Sequence, residues 1–291
     1  MISGYGEILK ARVMSNAIYT ATGCVRCKIT KSFLAENNIE FEEFDFKGEG
    51  QDAFGQFYRA NRKDIFRDQD GVEFPVFSDG NQIRQGVSVI IGYLVSGNKL
   101  DGFIRRSLLH GEWIDGFDVS GGDPKEVGDL VEVLGYLKDK RLKIQLTGNG
   151  VNAEVLERLL AAGLGDRLIM EVKGPESLLH ALYGSGATAA EISKSLSLAA
   201  KFPEYSLVTT IAPVKREGGE ITYLTPEEVG DTANFIEQAT GSKKNPYLLR
   251  AFRPDEIDDQ DLKGVEPLPQ SAMFKYRSAA RRFQVLTEVE K

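Results

Sequence analysis

The sequence predicts two α/β domains in tandem, a small mixed-sheet domain followed by a partial parallel β/α barrel. Three observations predict this. A Cys24-Val25-Arg26-Cys27 motif lies between a strand and a helix, the first hundred or so residues follow the order βαβαββα, and from about residue 114 strands and helices alternate regularly to the end. A chain of 291 residues is long enough for two hydrophobic cores.

The elements follow in order. Residues 16–21 (NAIYTA) read as a short strand, and residues 25–37 as a helix with Ile29, Phe33 and Leu34 at helical spacing. Residues 41–46 (FEEFDF) alternate aromatic and acidic side chains, which predicts a half-buried strand. Residues 51–65 form a helix with Phe54, Phe57 and Tyr58 on one face. Strands at 74–77 and 82–84 flank Asp79-Gly80, a hairpin signal, and 87–95 close the domain as a helix. The reading is therefore a first domain over 1–99, a connecting segment over 100–113, and a second domain over 114–291. In the latter, strands are expected near 116–120, 143–147, 168–173, 205–212, 247–252 and 282–287. Helices fall over 127–137, 155–162, 192–200 and 229–236, and 255–269 reads as a surface loop.

Composition narrows the function. An apolar fraction of 42% and a charged fraction of 27% are those of an ordinary globular protein. A net charge of −7 argues against nucleic acid or an anionic membrane as partner. Residues 1–14 carry Glu7, Lys10 and Arg12 and no apolar core of a leader. The longest apolar run, 87–95, is far short of the roughly 20 residues of a membrane span. Two cysteines in one short motif make no secreted-type disulfide framework, so the cytoplasm is the expected compartment.

A CxxC that opens a helix puts its first thiol among unpaired backbone N–H groups at the positive end of the helix dipole, where a thiolate is favoured. Cys24 is the candidate attacking thiolate and Cys27 the resolving thiol, with Arg26 adding positive potential between them. The competing reading, half of a four-cysteine metal site, lacks the other two cysteines.

The stretch Tyr19-Thr20-Ala21-Thr22-Gly23-Cys24-Val25-Arg26-Cys27 resembles the active-site segment of the glutaredoxins, within the thioredoxin-like class. The resemblance spans about residues 15–97. It places Phe74-Pro75-Val76-Phe77 where that family carries a cis-proline facing the CxxC, and so implies a role for Pro75 in docking an extended thiol substrate. The chain departs from the pattern at Val25, at Ala21-Thr22 and around Gly86 and Ser88, which weakens the case for glutathione. A thiol or disulfide substrate is implied, either protein or glutathione.

In the second half, Asp115-Gly116-Phe117-Asp118-Val119-Ser120-Gly121-Gly122-Asp123-Pro124 is followed by Thr147-Gly148-Asn149-Gly150, Glu171-Val172-Lys173, Thr209-Thr210-Ile211-Ala212-Pro213 and Arg250-Ala251-Phe252-Arg253-Pro254. In that order these resemble the radical S-adenosylmethionine activating enzymes for glycyl-radical proteins, of the anaerobic ribonucleotide reductase activator type. The resemblance implies S-adenosylmethionine held at Ser120, Gly121, Gly122, Asp123 and Pro124, with Thr147, Asn149, Glu171 and Lys173 lining the same site and Lys173 meeting the cofactor's carboxylate. It departs in one respect. The family's CxxxCxxC cluster motif is missing, and two cysteines are too few to hold a [4Fe–4S] cluster.

The function expected from sequence is therefore a thiol–disulfide oxidoreductase domain fused to a cluster-less barrel that binds a small ligand or a partner, with no metal site assigned. Two alternatives stand beside it. One is a non-catalytic redox-sensing accessory protein that docks to a radical enzyme; the other is an iron–sulfur protein using Cys24 and Cys27.

Overall fold

The computed structural model describes residues 16–290, except 70, 185, 217, 257 and 258. The segment 1–14, read above as no leader, lies outside the described residues. The chain divides into two compact units, one ending at Leu109 and the next beginning at His110.

In the first unit, β1 (Asn16–Thr20), α1 (Val25–Glu36), β2 (Phe41–Asp45), α2 (Gln51–Ala60), β3 (Arg67–Asp68), β4 (Gly71–Val72), β5 (Val76–Ser78), β6 (Ile83–Gln85) and α3 (Val87–Ser96) follow in order. Four strands make a mixed sheet of order β2-β1-β5-β6, with β1 parallel to β2 and antiparallel to β5, and β5 antiparallel to β6. Alternation along β1 divides the core. Ile18 packs with Leu34, Phe77 and Ile90 beneath α1 and α3, while Tyr19 packs with Phe54, Phe74 and Val76 beneath α2.

Three sequence expectations are corrected here. Strand β2 is not half-buried by simple alternation: Phe41 joins the first cluster and Phe44 the second, so both faces are packed. Helix α2 stops at Ala60 instead of 65, because the Asn61 side chain donates to the Phe57 carbonyl at 2.8 Å and closes its end. The hairpin β3–β4, which has no apolar alternation to announce it, escapes the sequence reading.

The segment 100–113 is not a bare connector. Leu100, Phe103, Ile104 and Ser107 are buried, and the unit boundary falls only after Leu109. Gly92 of α3 leaves room for it: a Cβ there would lie 2.7 Å from the Ile104 side chain.

The second unit contains β7 (Leu109–His110, straddling the boundary), β8 (Trp113–Asp118), α4 (Val127–Asp139), β9 (Lys143–Gly148), α5 (Ala153–Ala161), β10 (Arg167–Glu171), α6 (Leu179–Tyr183), α7 (Ala189–Ala199) and β11 (Glu204–Ile211). The hairpin β12 (Pro213–Lys215) and β13 (Ile221–Tyr223), α8 (Pro226–Thr240), β14 (Tyr247–Ala251), α9 (Gln260–Lys263), α10 (Met273–Ala280) and β15 (Thr287–Val289) complete it. The sheet order is β15-β14-β11-β10-β9-β8-β7, and the six strands from β8 to β15 run parallel. The parallel direction is what repeated βα units require, and among the described residues the strands of the expected partial barrel follow one linear order.

The last strand is displaced from the expected 282–287. The chain stays in helical turns there, Gln284 N–H donating to Ala280 O at 2.8 Å, and Val285 and Leu286 are about half exposed. Nor is 255–269 wholly loop, since it includes α9, capped by Asp259. No helix among the described residues is long and apolar enough to cross a membrane.

Candidate functional site

Two places concentrate chemistry, one in each unit. In the first, β1 ends at Thr20 and a turn leads into α1. There Cys24 is the N-cap residue, its Sγ accepting the Cys27 N–H at 3.0 Å. Cys24 and Cys27 are joined in a disulfide. The two differ in access: Cys24 is partly exposed at the cap, whereas Cys27 is 2% exposed and belongs to the aromatic cluster of Tyr19, Phe54 and Phe74.

Alongside lies the segment before β5. The Phe74–Pro75 peptide is cis, and the Phe74 carbonyl oxygen is 3.9 Å from Cys24 Sγ. Val25, in the position after the first cysteine, is 61% exposed and leaves the approach open.

Arg26 does not simply add positive potential. Its guanidinium meets Glu73 Oε1 at 2.5 Å, and Arg106 Nε meets Glu73 Oε2 at 3.2 Å. Arg106 also stacks its guanidinium on the Phe66 ring, 3.6 Å from the centroid. On the other side of Cys24 a groove of about 370 Å³ is lined by Thr22, Lys28, Lys31, Glu43 and Asp45. Lys31 pairs with Glu43 at 2.7 Å. The Thr22 hydroxyl, aided by the Lys47 and Thr22 N–H groups, holds the Asp45 carboxyl below its usual range. Sequence reasoning missed Glu73 and Arg106, which stand 47 and 80 residues from Arg26 and carry no local motif.

In the second unit the carboxyl ends of the parallel strands open into a crevice, the usual place for ligands in such sheets. One pocket of about 290 Å³ is lined by Asp118, Thr147, Asn149, Glu171, Lys173 and Arg250, among others. A second, of about 390 Å³, shares Glu171, Lys173 and Arg250 and adds Thr210, Lys215, Arg253 and Asp259. Glu171 Oε1 accepts from the Thr210 hydroxyl at 3.1 Å, and Arg250 forms a forked pair with Glu290. Lys173 Nζ donates to Leu182 O at 3.2 Å and lies over the Tyr183 ring. Burial pushes the Tyr183 phenol well above its ordinary value, so it stays protonated.

Thr147, Asn149 and Lys173 are thus brought to one crevice, but Ser120, Gly121, Gly122, Asp123 and Pro124 are not among its lining residues. Hydrogen bonds tie this stretch to the neighbouring turn. The Ser120 hydroxyl donates to Val151 O and accepts from Asn149 N–H, Asn152 Nδ2 donates to Gly122 O, and Asp123 caps the turn that follows. Gly150, with φ of +92° and Met170 Cε 2.9 Å from where a Cβ would stand, is required by the backbone. In the sequence Arg250 and Thr210 stand only as members of longer motifs; the parallel register of β11 with β14 is what places both at the crevice.

No protein-family model and no curated protein matches the chain. Among solved structures, the chain is similar to a domain of pyruvate-formate lyase-activating enzyme from Bacteroides vulgatus ATCC 8482. The identity is 12% and the TM-score 0.42, over 60% of this chain and 98% of that one. It is also similar to coproporphyrinogen III oxidase (HemN) from Escherichia coli, described as a radical SAM enzyme. There the identity is 17% and the TM-score 0.39, over 59% of this chain and 41% of that one. The fold is of the mixed α/β class with a parallel sheet.

Proposed function

We propose that the first unit is a thiol–disulfide oxidoreductase of the glutaredoxin, thioredoxin-like kind. The observation that carries this reading is the asymmetry of the cysteine pair. A partly exposed Cys24 stands at a helix cap, and a buried Cys27 lies one turn in, within reach of it. In the reduced protein the Cys24 thiolate attacks one sulfur of a substrate disulfide, and the other leaves as a thiolate and takes a proton from solvent. Cys27, deprotonated, then attacks Cys24 Sγ, releasing the second substrate thiol and closing the Cys24–Cys27 disulfide. Two electrons pass to the substrate, and an external thiol restores the dithiol. The Phe74 backbone beside Cys24 offers an edge on which a protein or glutathione substrate docks, with Pro75 shaping it.

The second unit, in this reading, binds a small ligand at the crevice, and S-adenosylmethionine is the candidate that the sequence resemblance names. The donor set fits such a molecule in part: Lys173 and Arg250 suit its carboxylate, and Glu171 and Asp118 its ammonium and hydroxyl groups. A [4Fe–4S] cluster does not fit. Its three cysteine ligands are missing: the chain has two cysteines, and both lie in the CxxC of the first unit. No radical step is assigned to this chain.

The test uses the reduced full chain and hydroxyethyl disulfide. One disulfide should be consumed per protein, Cys24→Ser should be inert, and Cys27→Ser should stop as a mixed disulfide at Cys24. Equal competence of the two single variants would overturn the assignment. For the crevice, calorimetric titration of the full chain with S-adenosylmethionine should give a Kd below about 1 mM, or about 4 kcal/mol, weakened by Lys173→Ala. No heat of binding would remove the ligand.

A further inference from the structure

Glu73 is the least expected group near the cysteine pair. Its carboxylate is largely buried, with a side-chain exposure of 9%, and lies between two guanidinium groups from different parts of the chain. Arg26 comes from the first turn of α1, two residues after Cys24. Arg106 comes from the segment after α3 and is fixed by its stacking on Phe66. The main chain at Glu73 is fixed as well. Gln85 Nε2 donates to Glu73 O at 2.8 Å and to Phe66 O at 3.0 Å, and Phe66 N–H donates back to the Gln85 side chain. The next residue, Phe74, presents its carbonyl 3.9 Å from Cys24 Sγ. Glu73, the residue before the one that faces the sulfur, is thus held by backbone and side-chain contacts together.

Glu73 thus sets one carboxylate against two guanidinium groups, one of them at the start of the helix that Cys24 caps. Charged groups also line the groove beside Cys24, Lys28 and Lys31 together with Glu43 and Asp45, and Lys31 pairs with Glu43.

We propose that Glu73 is a positioning residue that limits the acidity of Cys24. It neutralises one of the two guanidinium charges, and so biases the pair towards giving electrons instead of taking them. This rests on the reading of Cys24 as the attacking thiol. A thiolate stabilised by an uncompensated arginine makes the dithiol form more stable and the disulfide a stronger oxidant. Glu73 opposes that, while its two ion pairs keep the Phe74 segment aligned with the start of α1. The electrons come from the Cys24/Cys27 dithiol, which is oxidised to the disulfide as the substrate disulfide is reduced.

The experiment compares wild type, Glu73→Gln, Glu73→Asp and Arg106→Gln as full-length protein. Cys24 thiolate is followed by absorbance at 240 nm against pH, and the dithiol–disulfide equilibrium is set against glutathione buffers. Glu73→Gln should lower the Cys24 pKa by about one unit, and shift the equilibrium about tenfold towards the dithiol, which is about 30 mV more oxidising. Glu73→Asp should restore the wild-type values, and Arg106→Gln should move both readouts the opposite way. A purely structural Glu73 would change stability without this pattern of signs. If Glu73→Gln does not fold, Arg106→Gln decides alone. Wild-type values in all folded variants, with wild type active on hydroxyethyl disulfide, would overturn the proposal. An inactive wild type would instead sink the oxidoreductase reading.

Discussion

Thr209, buried in the strand that carries Val208 and Thr210 to the crevice, should be costly to remove in a way that its hydrogen-bond neighbour is not. Thr209 is fully buried in β11. Its hydroxyl donates to Val172 O at 2.6 Å and accepts from the Tyr247 hydroxyl at 2.7 Å. Burial pushes the Tyr247 phenol well above its ordinary value, so it remains a donor throughout the working pH range. Thr209→Val keeps the shape but strips a buried phenol of its acceptor and a buried carbonyl of this donor. At about 1–3 kcal/mol for each unsatisfied group, the expected cost is about 3 kcal/mol. Tyr247→Phe removes only the donor, leaves the Thr209–Val172 bond in place and should cost about 1 kcal/mol. The double variant relieves the stranded phenol and should be more stable than Thr209→Val alone, a strongly non-additive result. Trp113, the single tryptophan, lies in this unit, so its fluorescence in a urea titration reports the relevant transition. For a unit of this size Thr209→Val should also lower Tm by roughly 6–12 °C. Equal costs for the two single variants, or simple additivity in the double, would refute the reasoning.

Alkylation of the reduced protein should distinguish the two thiols. Iodoacetamide should modify Cys24 at least about tenfold faster than Cys27 at pH 7, because its thiolate is favoured at the helix cap and its sulfur is accessible; equal rates in Cys27→Ser and Cys24→Ser would count against it. Glu228 should make the second unit acid-sensitive. Partial burial opposes its charge, but the Arg216 guanidinium and the Thr225 cap outweigh that and lower its pKa from the ordinary 4.5. The stability it contributes is therefore full above about 4.5 and lost as pH falls through its folded value. Urea midpoints of wild type and Glu228→Gln should converge as the pH falls below about 4.5, and a constant gap would disprove the link. Gly150→Ala should cost about 2 kcal/mol by urea unfolding, since its positive φ and the nearby Met170 both resist a side chain; a neutral result would show that the turn relaxes.

The order of elements was legible wherever apolar periodicity was strong. Strands β9, β10, β11 and β14 and helices α4, α7 and α8 fall within a few residues of where Ile144, Leu168, Val208, Leu249 and their neighbours place them. The errors came where side-chain hydrogen bonding overrode pattern. Asn61 ends α2 early, and the helical turn at Gln284 delays β15 although Phe283 and Val285 alternate as a strand would. Of the candidate sites, the CxxC and its helix cap could be read locally, because both depend on residues a turn apart. The Glu73 clamp could not, since its three members are joined only by the fold. Likewise the hydrogen bonds by which Ser120 and Asn152 hold two turns together join residues some thirty apart and carry no local signal.

The burial of residues 100–107 has a bearing on how this chain is cut. A fragment ending at Lys99 would carry the CxxC but strip Leu100 and Ile104 from beside Gly92 of α3 and take Arg106 away from Glu73. Such a piece would present a raw apolar face and an altered field at Cys24, so its redox behaviour would misreport that of the intact protein. Ending at Leu109 keeps both. The proper seam between the halves is therefore set by which side chains are covered, some ten residues beyond the point where the periodic pattern of the first half gives out.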